Sequence, residues 1–380
     1  MEKYLNEDAL KYIETHSEEA VELLKTLGKI PAPSHYEDQR VDFVKKWLED
    51  QGAEGVYIDE AKNVIYPVDI DSHDDIVVVM AHMDIVFPDM EELPMHIEDG
   101  RIFAPGIGDD TANLVNLLLS VKYIIEKRIK PECGILFVAN ACEEGLGNLK
   151  GSKAVMDKFG ARVKQFISFD GYLNGIADNA VGSHRYEITV KTEGGHSFGD
   201  FGNANAIYYL SSMIQTLYAK KVPTKEKTTY NVGTIAGGST VNSIAESASI
   251  LYEFRSVDRD CLKEMEDFFW SVIETYRKMG IDVTVDVKGI RPCRGDIDFK
   301  ALEIATQKNI DIMEKMTGKT CALEAGSTDA NIPLSMGIVA NTFGTINGGR
   351  PHTREEWVEL ASLPVGYKVA LASILQFYKV

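Results

Sequence analysis

Four apolar, strand-like runs constrain this chain most, because each of them stops at residues that bind metals. They are residues 76–81 before His82-Met83-Asp84, 134–139 before Cys142-Glu143-Glu144, 166–169 before Asp170, and 337–343 before the glycine-rich loop that carries His352. In open α/β sheets, ligands bind beyond the carboxyl ends of the strands. The repeated pattern therefore predicts one convergent site.

The alternation of strands and helices predicts an α/β fold with a mostly parallel sheet covered on both faces. Apolar residues at helical spacing predict helices at 7–28, 37–51, 113–128 and 298–316. The pattern changes near Val181, and residues 183–291 follow the order β-α-β-β-α-β of a ferredoxin-like split unit. We therefore predict one domain made of 1–182 and 292–380, with 183–291 as an inserted α+β domain.

The bulk composition argues against several classes of partner. The net charge is −18, from 40 basic and 58 acidic residues, whereas nucleic acids and anionic membranes need concentrated Lys and Arg. The first eight residues lack the features of a signal peptide, and no apolar run approaches the roughly 20 residues that span a bilayer. Five cysteines without a Cys-x-x-Cys pair predict reduced thiols in a cytoplasmic protein, with no cysteine-based zinc site.

His82-x-Asp84 has a spacing at which a carboxylate can orient a metal-bound imidazole. Such an imidazole usually donates its second nitrogen to a carboxylate, which fixes its tautomer and orientation. Taken alone, the tripeptide is more typical of a buried His–Asp pair. Asp109-Asp110 lies in a glycine-flanked turn and, taken alone, is more typical of solvated carboxylates. Asp109 could nevertheless bridge two cations through its two oxygens.

Glu143-Glu144 ends a run that is otherwise apolar. One glutamate could bind a metal, and the other could take a proton from a metal-activated water. Neighbouring side chains on an extended strand point to opposite faces, so both serve one site only where the strand ends. The alternative is an acidic cap at a helix N-terminus.

The charges of the candidate ligands favour a metal centre. The candidates are two imidazoles and three carboxylates, His82, His352, Asp109, Glu144 and Asp170. Together they carry about −3, and three carboxylates gathered without a metal would repel one another and raise their pKa values. Two divalent ions would offset that charge. Nitrogen and oxygen ligands without a thiolate suit zinc, with cobalt or manganese as replacements.

The ordered set of motifs resembles the co-catalytic di-zinc metallopeptidase family, which contains aminoacylase, glutamate carboxypeptidase, succinyl-diaminopimelate desuccinylase and peptidase T. The matching segments are His82-Met83-Asp84, the turn at 106–109, Glu143-Glu144, Phe169-Asp170-Gly171, Gly194-Gly195-His196-Ser197, Gly326-Ser327-Thr328-Asp329-Ala330 and Pro351-His352-Thr353. Residues 326–331 and 350–357 are most similar to the peptidase T branch. One departure is Thr111-Ala112, where the family has Lys-Gly or Lys-Ala. That Lys is not a ligand, so the departure bears on substrate preference rather than on the metals.

The resemblance implies a role for each candidate ligand. One zinc would be held by His82, Asp109 and Asp170, and the other by Asp109, Glu144 and His352. Glu143 would be the general base, and Asp84 would be the partner of His82. The resemblance also implies a cis peptide between Asp109 and Asp110.

The resemblance further implies that the inserted domain is a lid through which two chains form a homodimer. His196 would reach the active site of the partner chain and stabilise the tetrahedral oxyanion, as an imidazole donor can. Asn242 and Arg255 match lid positions that grip the carboxylate of the substrate. On the residues alone, His196 is typical of a loop and Arg255 of a surface charge on a strand.

These features predict a di-zinc metallohydrolase that cleaves an amide bond in a small peptide, in the manner of an aminopeptidase or tripeptidase. A zinc-activated water would attack the carbonyl, and Glu143 would act as the base. The same centre would also serve an N-acyl amino acid deacylase or a carboxypeptidase. The sequence leaves these substrates open.

Three further classes of protein agree less well with the sequence. Residues 145–151 form a G-x-G-x-x-x-G loop after a strand, superficially a dinucleotide fingerprint, but Glu143-Glu144 at its mouth would repel a pyrophosphate. A serine hydrolase using Ser327 lacks the G-x-S-x-G elbow. An inactive metal-binding scaffold is disfavoured because Glu143 is present.

Overall fold

The computed structural model describes residues 4–379. Its helices are α1 Glu7–Thr15, α2 Ser17–Lys29, α3 Asp38–Asp50, α4 Ala112–Lys127, α5 Lys150–Phe159, α6 Ala206–Tyr218, α7 Arg259–Lys278, α8 Phe299–Thr317, α9 Asn331–Ser335 and α10 Leu363–Leu375. Its strands are β1 Tyr57–Ile58, β2 Val64–Val68, β3 Ile76–His82, β4 His96–Glu98, β5 Arg101–Phe103, β6 Gly134–Asn140, β7 Val163–Phe169, β8 Gly175–Ala180, β9 Gly182–Lys191, β10 Gly195–His196, β11 Thr228–Gly237, β12 Ser243–Ile244, β13 Ser247–Ser256, β14 Asp282–Arg291, β15 Ala322–Gly326, β16 Val339–Phe343, β17 Gly348–Gly349 and β18 Trp357–Glu359.

The central sheet has eight strands in the order β1-β2-β6-β3-β7-β16-β8-β15. The pairs β6/β3, β3/β7, β7/β16 and β8/β15 are parallel, and the remaining pairs are antiparallel. Every residue of β3 and β6 is buried, as expected for strands covered on both faces. The mostly parallel α/β fold that the sequence predicts is confirmed.

Successive residues of β3 pack into two different cores. Val77 and Val79 face a core that includes α1, α2, α4 and α10, whereas Val78 and Met80 face a core that includes parts of α5, α8 and α9. This alternation follows from the two-residue period of a strand. It holds the strand rigidly in place up to His82, where the site begins.

The helix predicted at 7–28 is two helices, which meet at His16. The hydroxyl of Ser17 donates to the carbonyls of Ile13 and Glu14, and Nδ1 of His16 lies 2.7 Å from the carbonyl of Tyr12. These side chains compete for carbonyls that a continuous helix would use. The prediction of one continuous helix is therefore wrong, because the helix is interrupted at His16.

The chain contains two compact units. The first unit runs to Ala180 and resumes at Gly295, and the second is Val181–Arg294. The bounds of the second unit lie two and three residues outside the predicted insertion 183–291. Its sheet has the order β11-β13-β9-β14 with antiparallel pairs throughout, and helices α6 and α7 pack on one face. This is the split β-α-β-β-α-β arrangement.

Two bulk features of the described chain concern membranes and thiols. Between residues 4 and 379, no helix combines the length and the apolar character needed to cross a membrane. All five cysteines are free, and Cys142, Cys261 and Cys293 are buried. None of the possible metal-binding groups found among these residues contains a cysteine.

Candidate metal centre

The five side chains predicted as metal ligands converge at the carboxyl end of the central sheet. His82, Asp109 and Asp170 offer ligand atoms that lie within 4.8 Å of one another, and so do Asp109, Glu144 and His352. Asp109 belongs to both groups. All five residues lie in the first unit.

The two oxygens of Asp109 face different imidazoles. Oδ1 lies 3.1 Å from Nε2 of His82, and Oδ2 lies 3.1 Å from Nε2 of His352. The same nitrogen of His352 lies 3.1 Å from Oε1 of Glu144. Tetrahedral zinc with bonds of about 2.0 Å separates its ligand atoms by roughly 3.3 Å, so each of these pairs could share one cation. The donor set fits two divalent ions with Asp109 between them.

The pKa values of the clustered side chains are also consistent with a site for two cations. Burial disfavours the charged form of His82, but the charge of Asp110 and other carboxylates outweighs burial and holds its pKa well above the ordinary value. Hydrogen bonds to Asp109 and a second carboxylate raise the pKa of His352 to about 10. Burial, and then the charge of Asp109, raises the pKa of Asp170 to about 7. The cluster therefore has an excess of negative charge, which cations would neutralise.

The carboxylate of Asp84 holds the segment that carries the glutamates. Its Oδ1 accepts the N–H of Glu143 at 2.9 Å, and its Oδ2 accepts the N–H of Glu144 at 3.0 Å and the hydroxyl of Ser34 at 2.6 Å. Nδ1 of His82 lies 3.0 Å from the carbonyl of Asp84 and 3.4 Å from its carboxylate. Asp84 therefore orients His82 mainly through its backbone, which fixes Nδ1 as the donor and leaves Nε2 for a cation.

Glu143 is buried beside the cluster but belongs to neither of the two groups that contain Asp109. Its ligand atom lies within 4.8 Å of those of His82 and Glu144. The chain turns sharply between β6 and the glutamates, because Cys142 has φ +60°. Gly147 permits this turn, since a Cβ there would lie 2.6 Å from Cα of Cys142. The strand thus ends where both glutamates can serve one site.

Glu356 fixes the turn that carries Asp109 through hydrogen bonds. The sequence motifs did not identify Glu356 as a residue of the site. Its carboxylate is fully buried and accepts the N–H groups of Gly106 at 3.0 Å, Gly108 at 2.8 Å and Asp109 at 2.7 Å. Burial, and then the charge of Asp109, raises its pKa to about 8. Glu356 lies 247 residues from Asp109, so no local pattern could have linked the two. The Asp109–Asp110 peptide is cis, as the resemblance implies.

The departure at Thr111 has a structural counterpart. Thr111 is fully buried, and its hydroxyl donates to the carbonyl of Gly106 at 2.5 Å. The same hydroxyl accepts a hydrogen bond from Nη1 of the buried Arg40 at 3.1 Å. Arg40 also donates to the carbonyl of Met83. A cation from α3 thus lies behind the turn where the family has a lysine on the turn itself.

Asp110 has a structural role. Its Oδ2 accepts the N–H of His82 at 3.0 Å, and its Oδ1 accepts Nδ2 of Asn113 at 2.7 Å. Asn113 in turn accepts the N–H and the hydroxyl of Thr345. Asp110 therefore fixes the end of β3, while Asp109 faces the imidazoles.

In the second unit, the loop of His196 fixes the tautomer of the ring. Nδ1 accepts the N–H groups of Phe198 and Gly199, both at 3.2 Å. Nδ1 is therefore unprotonated in the neutral ring, and Nε2 carries the proton. The side chain is exposed, so Nε2–H is available as a donor.

The structure places Asn242 beside His196 but places Arg255 elsewhere in the second unit. The carbonyl of Asn242 accepts the N–H of Ser197, and β10 pairs with β12 directly after Asn242. Arg255 lies eight residues beyond Ser247 on β13, a span of about 27 Å along an extended strand. Its guanidinium donates to both carboxylate oxygens of Glu253, at 3.0 and 2.9 Å. This ion pair competes with the role that the resemblance implies for Arg255, and that role stays a prediction.

The glycine-rich loop at 145–151 serves local packing. The N–H of Gly147 donates to the carbonyl of Glu144, and that of Gly151 donates to the carbonyl of Ala141. A Cβ on Gly151 would lie 2.3 Å from that carbonyl oxygen. Because these N–H groups are already used, they do not form a phosphate cradle.

Comparisons with known proteins agree with this site. The family model described as peptidase family M20/M25/M40 matches residues 78–376. Comparison with curated protein sequences found no match. A tripeptidase from Staphylococcus aureus is similar in structure, with a TM-score of 0.76 and 21% identity over 94% of this chain and 97% of that one.

Two further solved structures share the fold. Aminopeptidase PepT from Bacillus cereus has a TM-score of 0.70 and 23% identity, over 94% of this chain and 98% of that one. A dinuclear metal-binding peptidase from Bacillus subtilis has a TM-score of 0.62 and 14% identity, over 95% and 99%. The family match covers far more than half of the chain. The chain therefore belongs to peptidase family M20/M25/M40 and is a metallohydrolase.

Proposed function

We propose that this protein hydrolyses the first amide bond of small peptides that have a free amino terminus, as an aminopeptidase or tripeptidase. The observation that carries the proposal is the placement of Asp109, whose two oxygens each lie 3.1 Å from a different imidazole nitrogen. The fold shared with a tripeptidase and with an aminopeptidase supports the choice of substrate.

The proposed cofactor is a pair of divalent cations, zinc in preference to cobalt or manganese. His82, Asp109 and Asp170 would hold one cation, and Asp109, Glu144 and His352 the other. When bound, the pair would supply Lewis-acid polarisation of the amide carbonyl and of the attacking water. Nitrogen and carboxylate donors without thiolate favour zinc.

Glu143 is the proposed general base. Its carboxylate lies beside His82 and Glu144 but is outside both ligand groups that contain Asp109, so neither proposed cation takes it as a ligand. It would take the proton of the attacking water and then deliver that proton to the leaving amine. The hydrogen bond from its backbone to Asp84 holds it in place for both transfers.

His196 is the proposed donor to the oxyanion, because its loop leaves Nε2–H as the outward-facing proton. We propose that it acts across a homodimer formed by the second unit. Exposed apolar residues support such an interface: Phe198 and Phe201 are both 89% exposed, and the edge strand β11 exposes Ile235. Asn242, beside His196, would contact the carboxylate of the substrate. A cytoplasmic location likewise stays a prediction.

Chelation and substrate profiling test the function. We expect a chelator to abolish hydrolysis, zinc, cobalt or manganese to restore it, and a serine-directed reagent to leave it unchanged. Metal analysis should give two ions per chain. Tripeptides and dipeptides should be cleaved faster than N-acyl amino acids; the reverse order would support a deacylase and contradict the proposal.

Mixing inactive chains tests the dimer. Glu143→Ala and His196→Ala chains each lack one group of the proposed mechanism. If His196 serves the partner chain, mixed dimers contain one site with both groups, and activity should return on mixing. If the mixture stays inactive while light scattering shows a dimer, His196 does not act across it.

A further inference from the structure

A groove in the first unit starts at Asp170 and leads away from the candidate metals. Its volume is about 310 Å³, near the lower end of the range for ligand pockets, and suits a single amino-acid residue. Leu173, Phe343 and Ala177 supply apolar wall. Ala177 lies on β8, Phe343 ends β16, and Leu173 lies in the loop between β7 and β8, so the groove is built on the central sheet.

The far end of the groove is acidic. Glu324 lines it from β15, and its carboxylate lies over Gly175, where an added Cβ would be 3.0 Å from Oε1. Among the described residues that line the groove, Asp170 and Glu324 are acidic and none is Lys or Arg. No ion pair within residues 4–379 involves Glu324. The carboxylate thus lacks a cationic partner of its own.

Two buried side-chain oxygens also line the groove. Among the described residues, neither Oδ1 of Asn174 nor the hydroxyl of Tyr172 has a hydrogen-bond partner. The Tyr172 hydroxyl lies toward the metal end, where burial and the charges of Glu356, Asp109 and Asp170 raise its pKa. Buried polar atoms are normally paired, so such atoms point to a missing partner with hydrogen-bonding groups along its length.

The order of the strands sets the length of the groove. Glu324 pairs with Ala177 on β8, Ala177 pairs with Thr342 on β16, and β16 pairs with β7, which ends one residue before Asp170. Three strand spacings amount to about 14 Å. This is a distance between strand backbones, and the side chain of Glu324 covers part of it. An α-ammonium group whose carbonyl lies at the metals does not reach across the remainder, whereas a long side chain with a charged end, such as the four-carbon stem and ammonium of lysine, reaches farther.

We propose that this groove is a specificity subsite for the cationic side chain, lysine or arginine, of the residue whose carbonyl is attacked, with Glu324 as the group that recognises the charge. The inference rests on the proposed peptidase function and deepens it. Apolar walls take the methylene groups, and Glu324 takes the charge at the end.

Peptides that differ in one charge test the subsite. Lys-Gly-Gly and norleucine-Gly-Gly have side chains of similar length, and only the first is cationic. With the metal-loaded enzyme we expect kcat/KM to be roughly tenfold higher for the lysine peptide, since hydrogen bonds to charged groups supply about that factor. Equal values for the two peptides would overturn the proposal.

Variants at Glu324 identify the group responsible. Glu324→Gln should lower kcat/KM for Lys-Gly-Gly about tenfold and leave norleucine-Gly-Gly within twofold, and Glu324→Lys should make Glu-Gly-Gly the better substrate. Glu303→Gln, at an exposed position on α8, is the matched control and should change nothing. An equal loss for both peptides in Glu324→Gln would show that Glu324 reads the α-ammonium group, which contradicts the proposal.

Binding separates the inference from the proposed function. If the wild-type enzyme cleaves no peptide, the proposed function has failed, and calorimetry with L-lysine and L-norleucine still tests the groove. Tighter binding of lysine that is lost in Glu324→Gln would support the subsite. Equal binding of the two amino acids would refute it.

Discussion

The carboxyl end of the central sheet and the His196 loop of the second unit are built in different ways. His82, Glu143 and Glu144 are at most 6% exposed, and buried carboxylates hold the segments that carry them. His196 and Asn242 are exposed, and short-range hydrogen bonds hold their loops. The first region has the rigidity that a metal centre needs, because ligands must stay within a few tenths of an ångström of their positions. The second region presents donors to solvent and forms no such cluster by itself.

Glu143→Ala is expected to have the largest effect on turnover. Removing a general base typically costs 10²- to 10⁴-fold, so kcat should fall by roughly 10³-fold. Metal content should stay at two ions per chain, because Glu143 is outside both ligand groups that contain Asp109. Steady-state kinetics and metal analysis check both parts. Glu60→Ala, at an exposed position, is the control, and an unimpaired Glu143→Ala enzyme would refute the role.

His196→Ala should lower kcat by about 10²-fold, as the loss of one oxyanion donor does. It should leave metal content and thermal stability unchanged, because the side chain is exposed and lies in the second unit. If the variant loses metal, metal binding depends on the His196 loop, and the contrast drawn between the two regions is wrong. His73→Ala, in the first unit and away from the cluster, serves as the control.

Glu356→Gln tests whether rigidity at the sheet edge depends on a single buried carboxylate. An amide nitrogen would replace one acceptor oxygen and would face a backbone N–H, so the turn carrying Asp109 would shift. Loss of such outer contacts typically costs 10- to 100-fold in metal affinity, and we expect about tenfold. Competition with a chelating dye measures this affinity. Unchanged affinity would show that the turn holds its shape without Glu356.

Residues close in sequence to a strand end could be predicted, and those that reach the site from afar could not. His82 is the last residue of β3, Asp170 follows β7 directly, and Glu143-Glu144 lie a short turn beyond β6, so the topology alone brings them to one edge. Glu356, Arg40 and Ser34 act on the site through contacts 247, 71 and 50 residues apart in the chain. Such contacts depend on the packing of the whole unit rather than on local pattern.

Sequence patterns also did not predict which side chains form local hydrogen bonds. The interruption at His16 and the ion pair of Arg255 are two examples. Helical periodicity predicts that 7–28 is apolar on one face, and both α1 and α2 keep that face buried. It carries no information on whether a side chain competes for a backbone carbonyl. In the same way, the motif position of Arg255 does not show that Glu253, two residues away, holds its guanidinium.

Arg255→Ala should have the smallest effect. Glu253 already accepts two hydrogen bonds from the guanidinium, and the position is about 27 Å along β13 from the end that lies near Asn242. A partly exposed pair of this kind contributes about 0.2–1 kcal/mol, so stability should change by no more than that and kcat/KM by less than about threefold. Asn242→Ala, whose side chain lies beside His196, should raise KM more. If Arg255→Ala instead raises KM for peptides tenfold while Asn242→Ala does not, then Arg255 grips the substrate carboxylate. The substrate would in that case bind at the opposite end of β13 from the His196 loop.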